Sequence, residues 1–161
     1  MEISKNAKAQ RTYVFLDAAN YHYFLNKSGW KIDWSRFKKF IEGRYEVIKI
    51  FYYEGVTTKG HYRDAHPTAS LQEFIEAKKS KLYFFKKLKQ AGFIVRKKPI
   101  GRVYDATTGK FRHKCNFDVE LTIDAINNLE DFDAMILCSG DGDFVKLLKY
   151  LKGKWKKTII M

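Results

Sequence analysis

The sequence has too few cysteines, and too short an apolar run near its start, to suit several common classes of protein. Its two cysteines, Cys115 and Cys138, are far apart and form no paired spacing, which argues against a disulfide framework or a zinc knuckle. The apolar run at residues 13–16 is much shorter than a signal-peptide core or a membrane span. We therefore expect a cytoplasmic protein with no membrane partner.

Acidic residues are also scarce relative to basic ones. The chain of 161 residues has 18 Asp and Glu against 31 Lys and Arg, a formal net charge of +13. This excess creates a long-range field that attracts nucleic acid or an anionic membrane surface. Hydrophobic residues reach 45% and aromatic residues 16%, which is enough to form a core. The length suits one domain, which we place at residues 12–161 after a polar segment at residues 1–11.

Short apolar runs alternate with longer amphipathic stretches along the chain. This alternation predicts an α/β fold, in which βα units surround a parallel sheet. The predicted strands are Thr12–Leu16, Val47–Tyr53, Gly92–Lys97, Ala134–Cys138 and Lys157–Met161. The predicted helices are Asp33–Gly43, Ser70–Ala91, Asn116–Leu129 and Gly142–Leu151, with Asp33, Ser70 and Asn116 as N-cap residues.

Two segments outside this alternation mix basic with aromatic residues. We predict a loop at Thr57–Thr68 and a basic β-hairpin at Pro99–Lys114. Single-stranded nucleic acids bind positive grooves that also offer aromatic rings for stacking. The candidate contacts are His61, Tyr62, Arg63, Arg102, Tyr104, Lys110, Arg112 and Lys114. The lysines of residues 78–89 are interpreted either as a third basic surface or as a solvated helix face.

Two of the predicted strands run directly into acidic residues. Asp17 ends the first strand, with Asn20 one short turn later, and the Ala134–Cys138 strand is followed by Ser139, Asp141 and Asp143. Ligands of open α/β sheets bind beyond the carboxyl ends of the strands, so these acids are candidate ligand-binding groups. The alternative for Asp17, Ser139 or Asp141 is to cap the helix that follows.

The predicted helix between these motifs carries further acids. At about 100° per residue, Leu121, Ala125 and Leu129 fall within about 60° of Asp118, so Asp118 is predicted to face the apolar side of the helix. A buried carboxylate needs a cation or hydrogen-bond partners. Asp124 falls at the border of the apolar stripe and is interpreted either as a weaker ligand or as a solvated acid.

Four of these acids are predicted to meet if the first strand and the Ala134–Cys138 strand are neighbours in the sheet. They are Asp17, Asp118, Asp141 and Asp143. Two carboxylates about 4 Å apart repel by roughly 4 kcal/mol at an effective dielectric constant near 20. Such a cluster must bind a cation or take up protons. Oxygen ligands without Cys or His favour Mg²⁺ or Mn²⁺ over zinc.

Taken together, the motifs resemble the NYN domain of the PIN-like nuclease superfamily. The resemblance covers residues 13–161 and rests on the strand-end Asp17 with Asn20, the helical Asp118 and Asp124, and the Ser-Gly-Asp-Gly-Asp-Phe turn at residues 139–144. It implies a Rossmann-like three-layer sandwich with a mostly parallel central sheet of about five strands, a divalent-metal site and ribonuclease activity. By this likeness Asp17, Asp118, Asp141 and Asp143 correspond to the catalytic and metal-binding acids, Asp124 is a weaker metal ligand, and Asn20 and Ser139 support them.

The predicted activity is hydrolysis of RNA, with single-stranded RNA as the favoured partner. Water is the expected nucleophile, because the sequence has no apparent Ser-His or Cys-His pair. The sequence differs from the family at the C-terminus, because related domains usually continue past the final strand, and this difference bears on stability or dimerisation. A homodimer is kept as a candidate assembly. Two alternatives stay open: a non-catalytic RNA-binding or scaffold module of the same fold, and a haloacid-dehalogenase-like phosphatase. The phosphatase needs a second Asp two residues after Asp17, where this sequence has Ala19.

Overall fold

The fold is built around a parallel β-sheet, as the computed structural model shows for residues 10–21, 29 and 32–161. The strands are β1 (Arg11–Asp17), β2 (Glu46–Val56), β3 (Phe93–Pro99), β4 (Gly101–Asp105), β5 (Lys110–Lys114), β6 (Ala134–Cys138) and β7 (Lys157–Ile160). The central sheet has the order β3-β2-β1-β6-β7, and each neighbouring pair is parallel. The predicted α/β fold with a five-stranded sheet is confirmed.

Helices cover both faces of this sheet. They are α1 (Trp34–Glu42), α2 (Lys59–Ala65), α3 (Leu71–Gln90), α4 (Asp118–Asn127) and α5 (Val145–Gly153). Residues 18–21, directly after β1, are also helical, and short 3₁₀ turns occupy Leu129–Asp131 and Gly142–Phe144. None of the helices within the described ranges is long and apolar enough to cross a bilayer.

Alternation of side chains along β1 divides the core into two layers. Tyr13 and Phe15 are buried on one face with Leu121 of α4 and Leu147 of α5. Val14 and Leu16 are buried on the other face. There they pack with residues of α1 and α3, namely Trp34, Ile41, Phe85 and Leu88. The acidic strand end therefore lies between a layer formed by α4 and α5 and a layer formed by α1 and α3.

Two of the predicted N-caps are present as hydrogen bonds. The Asp33 carboxylate accepts from the backbone N–H groups of Ser35 and Arg36, and Ser70 forms a reciprocal capping box with Glu73. Asn116 differs from the prediction, since Phe117 occupies the cap position of α4. The Asn116 side chain instead accepts from the Asp118 N–H at 2.7 Å, one residue into the helix.

The predicted loop at Thr57–Thr68 is wrong, because most of it forms helix α2. The Thr58 hydroxyl caps the helix by accepting from the His61 N–H at 3.3 Å. The helix ends before His66, whose helical conformation is disfavoured by Pro67. Seven residues without an apolar stripe leave little periodic signal in the sequence. The segment Pro99–Lys114 does form the predicted hairpin. In it β4 is antiparallel to β5, and Gly109 has φ +64° in the connection.

The position of β1 decides where the site can form. From β1 the chain adds β2 and β3 on one side and later adds β6 and β7 on the other. Leu16 pairs with Cys138, so the acidic segments that follow β1 and β6 leave the sheet side by side. This is the topological switch point at which open α/β sheets bind ligands.

Candidate functional site

Three carboxylates converge beyond the ends of β1 and β6. One oxygen each from Asp118, Asp141 and Asp143 lies within 4.8 Å of the other two. Asp118 is half-buried, whereas Asp143 is exposed. All three ligand atoms are carboxylate oxygens, which is the chemistry that Mg²⁺ and Mn²⁺ prefer.

The turn after β6 positions two of these acids by hydrogen bonds to the backbone. The Asp141 N–H donates to the Ser139 hydroxyl at 3.2 Å, and the Asp143 N–H donates to the Asp141 carboxylate at 2.9 Å. Asp141 thus caps the 3₁₀ turn Gly142–Phe144, which is the capping alternative that the sequence left open for it. This contact uses one Asp141 oxygen, and the carboxylate still belongs to the three-acid cluster.

Asp17 lies beside this cluster and is 8% exposed. Its carboxylate accepts from the Ser139 hydroxyl at 2.9 Å and from the Asn20 N–H at 3.4 Å. Burial raises the pKa of the Asp17 carboxyl, the Ser139 and Asn20 hydrogen bonds oppose that shift, and the charges of Asp118 and Asp141 add to it. The structure therefore brings Asp17 next to the other acids but outside the set of three mutually close oxygens.

Asn20 and Ser139 both connect the β1 end to the β6 end. The Asn20 side-chain oxygen accepts from the Gly140 N–H at 3.2 Å. A Cβ on Gly140 would lie 3.4 Å from that oxygen, so the two segments pack closely there. Both residues were predicted to support the acids, and both contact the segments that carry them. Their supporting role stays a prediction.

Asp118 begins helix α4 and is held from its N-terminal side. The Asn116 amide donates to the Asp118 carboxylate at 2.5 Å while its carbonyl oxygen receives the Asp118 N–H. The apolar position of Asp118 predicted a partner for its carboxylate, but Asn116 was not predicted to be that partner. The Asn-x-Asp spacing was the available signal, because Asn side chains often bond the backbone two residues later.

Asp124 differs from the other predicted ligands. Its carboxylate accepts two hydrogen bonds from Arg96, at 2.9 and 2.8 Å, and one from the Tyr53 hydroxyl at 2.8 Å. Burial, and then the Asp124 charge, raises the pKa of Tyr53, so the phenol stays protonated as a donor. The three-acid cluster does not include Asp124. Asp124 is not a solvated acid, because Arg96 and Tyr53 bind its carboxylate. It also lies outside the cluster of Asp118, Asp141 and Asp143.

The acids open into a cleft that also has a basic wall. Its volume is about 400 Å³, and Asp17, Asp118 and Asp141 line it together with His113 and Lys114 from β5. The predicted hairpin therefore reaches the acidic end of the sheet. His113 was missed as a cleft residue, since a single histidine in a basic strand gives no specific signal.

Several predicted nucleic-acid contacts are engaged within the protein. Arg102 binds Asp64 with two hydrogen bonds, at 2.6 and 2.8 Å, and lies over the Phe111 ring. Arg112 pairs with Asp105 at 2.5 Å. The His61 ring packs against the His113 ring, with centroids 4.6 Å apart. These groups fasten α2 to the hairpin or stabilise the hairpin itself.

Other predicted contacts are more available. Tyr104 is 58% exposed, and Lys110 and Arg63 line a second hollow beside Phe111. Tyr62 is less available than these, because its ring stacks on His66 at 4.5 Å and also packs near Phe74. Lys114 remains the predicted basic contact that lines the acidic cleft.

The fold and site can be compared with known proteins. The family model described as "NYN domain" matches residues 11–161. The chain belongs to the NYN domain family. This membership places it in the PIN-like nuclease superfamily, as the motifs indicated, and decides against the haloacid-dehalogenase alternative.

Two known proteins are similar to this chain. The NYN chain is 27% identical over 153 residues to "Low amplitude and bright protein LabA" of Synechococcus elongatus, covering 91% of this chain and 70% of that protein. It also resembles the crystal structure of a protein of unknown function from Vibrio parahaemolyticus, with a TM-score of 0.68 and 24% identity. That match covers 97% of this chain and 83% of the other, and it supports the fold alone.

Proposed function

We propose that this NYN domain is a divalent-metal-dependent ribonuclease. The observation that carries the proposal is the convergence of Asp118, Asp141 and Asp143 within 4.8 Å beside a basic hairpin, in a nuclease-like fold. Three carboxylates this close repel one another strongly unless a cation lies between them. A net charge of +13 suits a polyanionic substrate.

The residues present fit a hard divalent cation. Asp118, Asp141 and Asp143 would hold Mg²⁺ or Mn²⁺ through carboxylate oxygens, and the neighbouring Asp17 would add negative charge. When bound, such an ion activates water and neutralises the charge that develops on the phosphate. Within the described residues, no Cys or His belongs to the three-acid group, which disfavours zinc.

The chain's own residues would perform the positioning. Ser139 and Asn20 hold the Asp17 carboxylate and the Gly140 backbone, so the acidic turn keeps a fixed place relative to β1. Lys114 would attract a substrate phosphate at the cleft wall. Burial raises the pKa of the Cys115 thiol, so this cleft residue is a poor thiolate nucleophile and water remains the attacking group.

Incubation of end-labelled single-stranded RNA with Mg²⁺ or Mn²⁺ tests the proposal, with EDTA as a control. Asp141→Asn should abolish cleavage while RNA binding stays equal or becomes tighter, because a negative charge is removed from the cleft. Asp131→Asn is the matched control, since this acid is 58% exposed in its side chain and outside the three-acid cluster. Undiminished cleavage by the Asp141→Asn protein would contradict the proposal.

The non-catalytic RNA-binding module is the second candidate. It is favoured by the structural use of Asp141, whose carboxylate accepts the Asp143 N–H as the cap of the 3₁₀ turn. The same experiment separates the two functions. RNA binding without metal-dependent cleavage by the unmodified protein would support the binding module.

A further inference from the structure

A highly exposed tryptophan follows the C-cap of helix α5 in an unusual backbone conformation. Trp155 is 95% exposed and has φ +62°, the only positive φ of a non-glycine residue in the described part of the chain. Left-handed backbone costs an L-residue with a bulky side chain free energy, and glycine normally fills such positions. Trp155 therefore combines a strained backbone with an indole that buries almost no surface.

The helix ending requires this conformation. The Lys156 N–H donates to the Leu151 carbonyl, and the Trp155 N–H donates to the Lys152 carbonyl, each at 3.0 Å. This is the hydrogen-bond pattern of a Schellman motif, in which the residue after the C-cap is left-handed. A glycine would serve the motif better, so the indole adds no evident stability to the fold.

Exposed lysines accompany this tryptophan along α5. They are Lys146, Lys149, Lys152 and Lys154, and none of them forms an ion pair with a described residue. Lysines near the C-terminus of a helix stabilise it by interacting favourably with the helix dipole. Lys146, however, lies in the first turn of α5, where a positive charge is unfavourable. Helix stability therefore does not account for all four charges.

Lys146, Lys149 and Tyr150 lie on the exposed part of α5. At about 100° per residue, Lys146 and Lys149 lie about 100–160° from the buried Leu147 and Leu151. Tyr150 lies between Lys146 and Leu147, at the edge of this exposed side, and Lys152 lies about 60° beyond Lys149. Lys146 follows Asp143 by one helical turn, and the distance from Lys146 to Lys154 along the axis is about 12 Å. A basic surface thus leads from the acidic cluster to the exposed indole.

We propose that this α5 surface, formed by Lys146, Lys149, Tyr150, Lys152, Lys154 and Trp155, binds single-stranded RNA, with a base stacked on the Trp155 indole. The inference rests on the proposed function for its substrate class and adds a second binding surface to it. Lysine side chains match the phosphates, and an indole stacks on any base. The basic segments singled out from the sequence did not include this helix.

Binding of a fluorescein-labelled single-stranded RNA, measured by anisotropy in EDTA, tests the surface without cleavage. Trp155→Gly should weaken affinity about 5- to 100-fold, as expected for loss of one stacked base. The same substitution should raise the Tm by about 2–4 °C, because it relieves the left-handed backbone. Trp155→Tyr should retain most of the affinity.

The lysines are tested by the salt dependence of binding. Lys146→Ala with Lys149→Ala should lower the slope of log affinity against log salt by about 1.4, which is about 0.7 for each lost phosphate contact. Lys39→Ala is the matched control, an exposed lysine of α1 in the opposite helix layer, and it should leave the slope within about 0.7 of that of the unmodified protein.

The outcomes separate this inference from the proposed function. Unchanged RNA affinity in the Trp155→Gly protein, or a fall in its Tm, would overturn the role of the indole even if metal-dependent cleavage is observed. Loss of affinity in that variant supports the surface even if no cleavage occurs. Binding of phosphatidylserine vesicles through these residues, with no RNA binding, would overturn the choice of ligand.

Discussion

The Ser139 hydroxyl donates a hydrogen bond of 2.9 Å to the buried carboxylate of Asp17. This contact joins the residue after β6 to the last residue of β1, which are 122 positions apart in the sequence. It also separates the roles of the four predicted acids. Asp17 is held inside by neutral donors, while the other three present oxygens toward a common point.

Ser139→Ala should destabilise the protein by about 1–3 kcal/mol at pH 7, because a buried carboxylate loses a donor. The Ser139 bond lowers the raised pKa of Asp17, so its loss should move that pKa further up. The stabilising effect of a group whose pKa is raised in the folded state is lost as pH rises through that pKa. Because the variant's Asp17 pKa is raised further, the loss of unfolding free energy caused by Ser139→Ala should be larger at pH 7 than near pH 4. Urea unfolding at both pH values measures this, and an equal defect at the two would contradict it.

Mg²⁺ should stabilise the folded protein through the three clustered acids. At a concentration about 100 times the dissociation constant, the expected gain is about 2.7 kcal/mol, seen as a higher Tm. Asp118→Asn should raise the Tm of the metal-free protein by reducing repulsion and should remove most of the Mg²⁺ effect. Thermal unfolding with and without Mg²⁺ checks both statements. A full Mg²⁺ shift in the variant would show that the ion binds elsewhere.

Asp124→Asn should affect stability more than metal binding. The substitution weakens the contact with Arg96 and Tyr53, and we expect a loss of about 1–2 kcal/mol, limited by the solvent exposure of Arg96. The Mg²⁺-dependent change in Tm should remain. Arg96→Met is the partner variant and should give a similar loss of stability. Disappearance of the Mg²⁺ effect in the Asp124→Asn protein would restore Asp124 as a metal ligand.

Gly55→Ala should disturb the packing beside the cleft. A Cβ at this position would lie 2.7 Å from the Ile100 Cγ1 and 2.9 Å from the Cys115 Sγ. Such overpacking usually costs about 1–3 kcal/mol. Gly153→Ala is the matched control, because a Cβ there meets no atom within 4 Å and alanine favours the helix. Chemical denaturation should show a loss for the first variant and no loss for the second.

The sequence predicted much of the fold because its signals are local. Apolar runs and N-cap residues such as Asp33 and Ser70 depend on neighbours a few positions away, and their predicted elements are present. Helix α2 was missed because seven residues without apolar periodicity carry little local signal. The roles of the site residues stay predictions that the proposed variants test.

The sequence by itself determined the α/β class and the placement of acids at the ends of two strands, since the chain order and the side-chain pattern are read directly along it. Only the tertiary structure decided which acids meet. Asp118 joins Asp141 and Asp143, whereas Asp124 pairs with Arg96, 28 positions away, and with Tyr53, 71 positions away. Such contacts depend on the register and packing of distant elements, and hydrophobic periodicity carries no information about which polar partners that packing brings within hydrogen-bond distance.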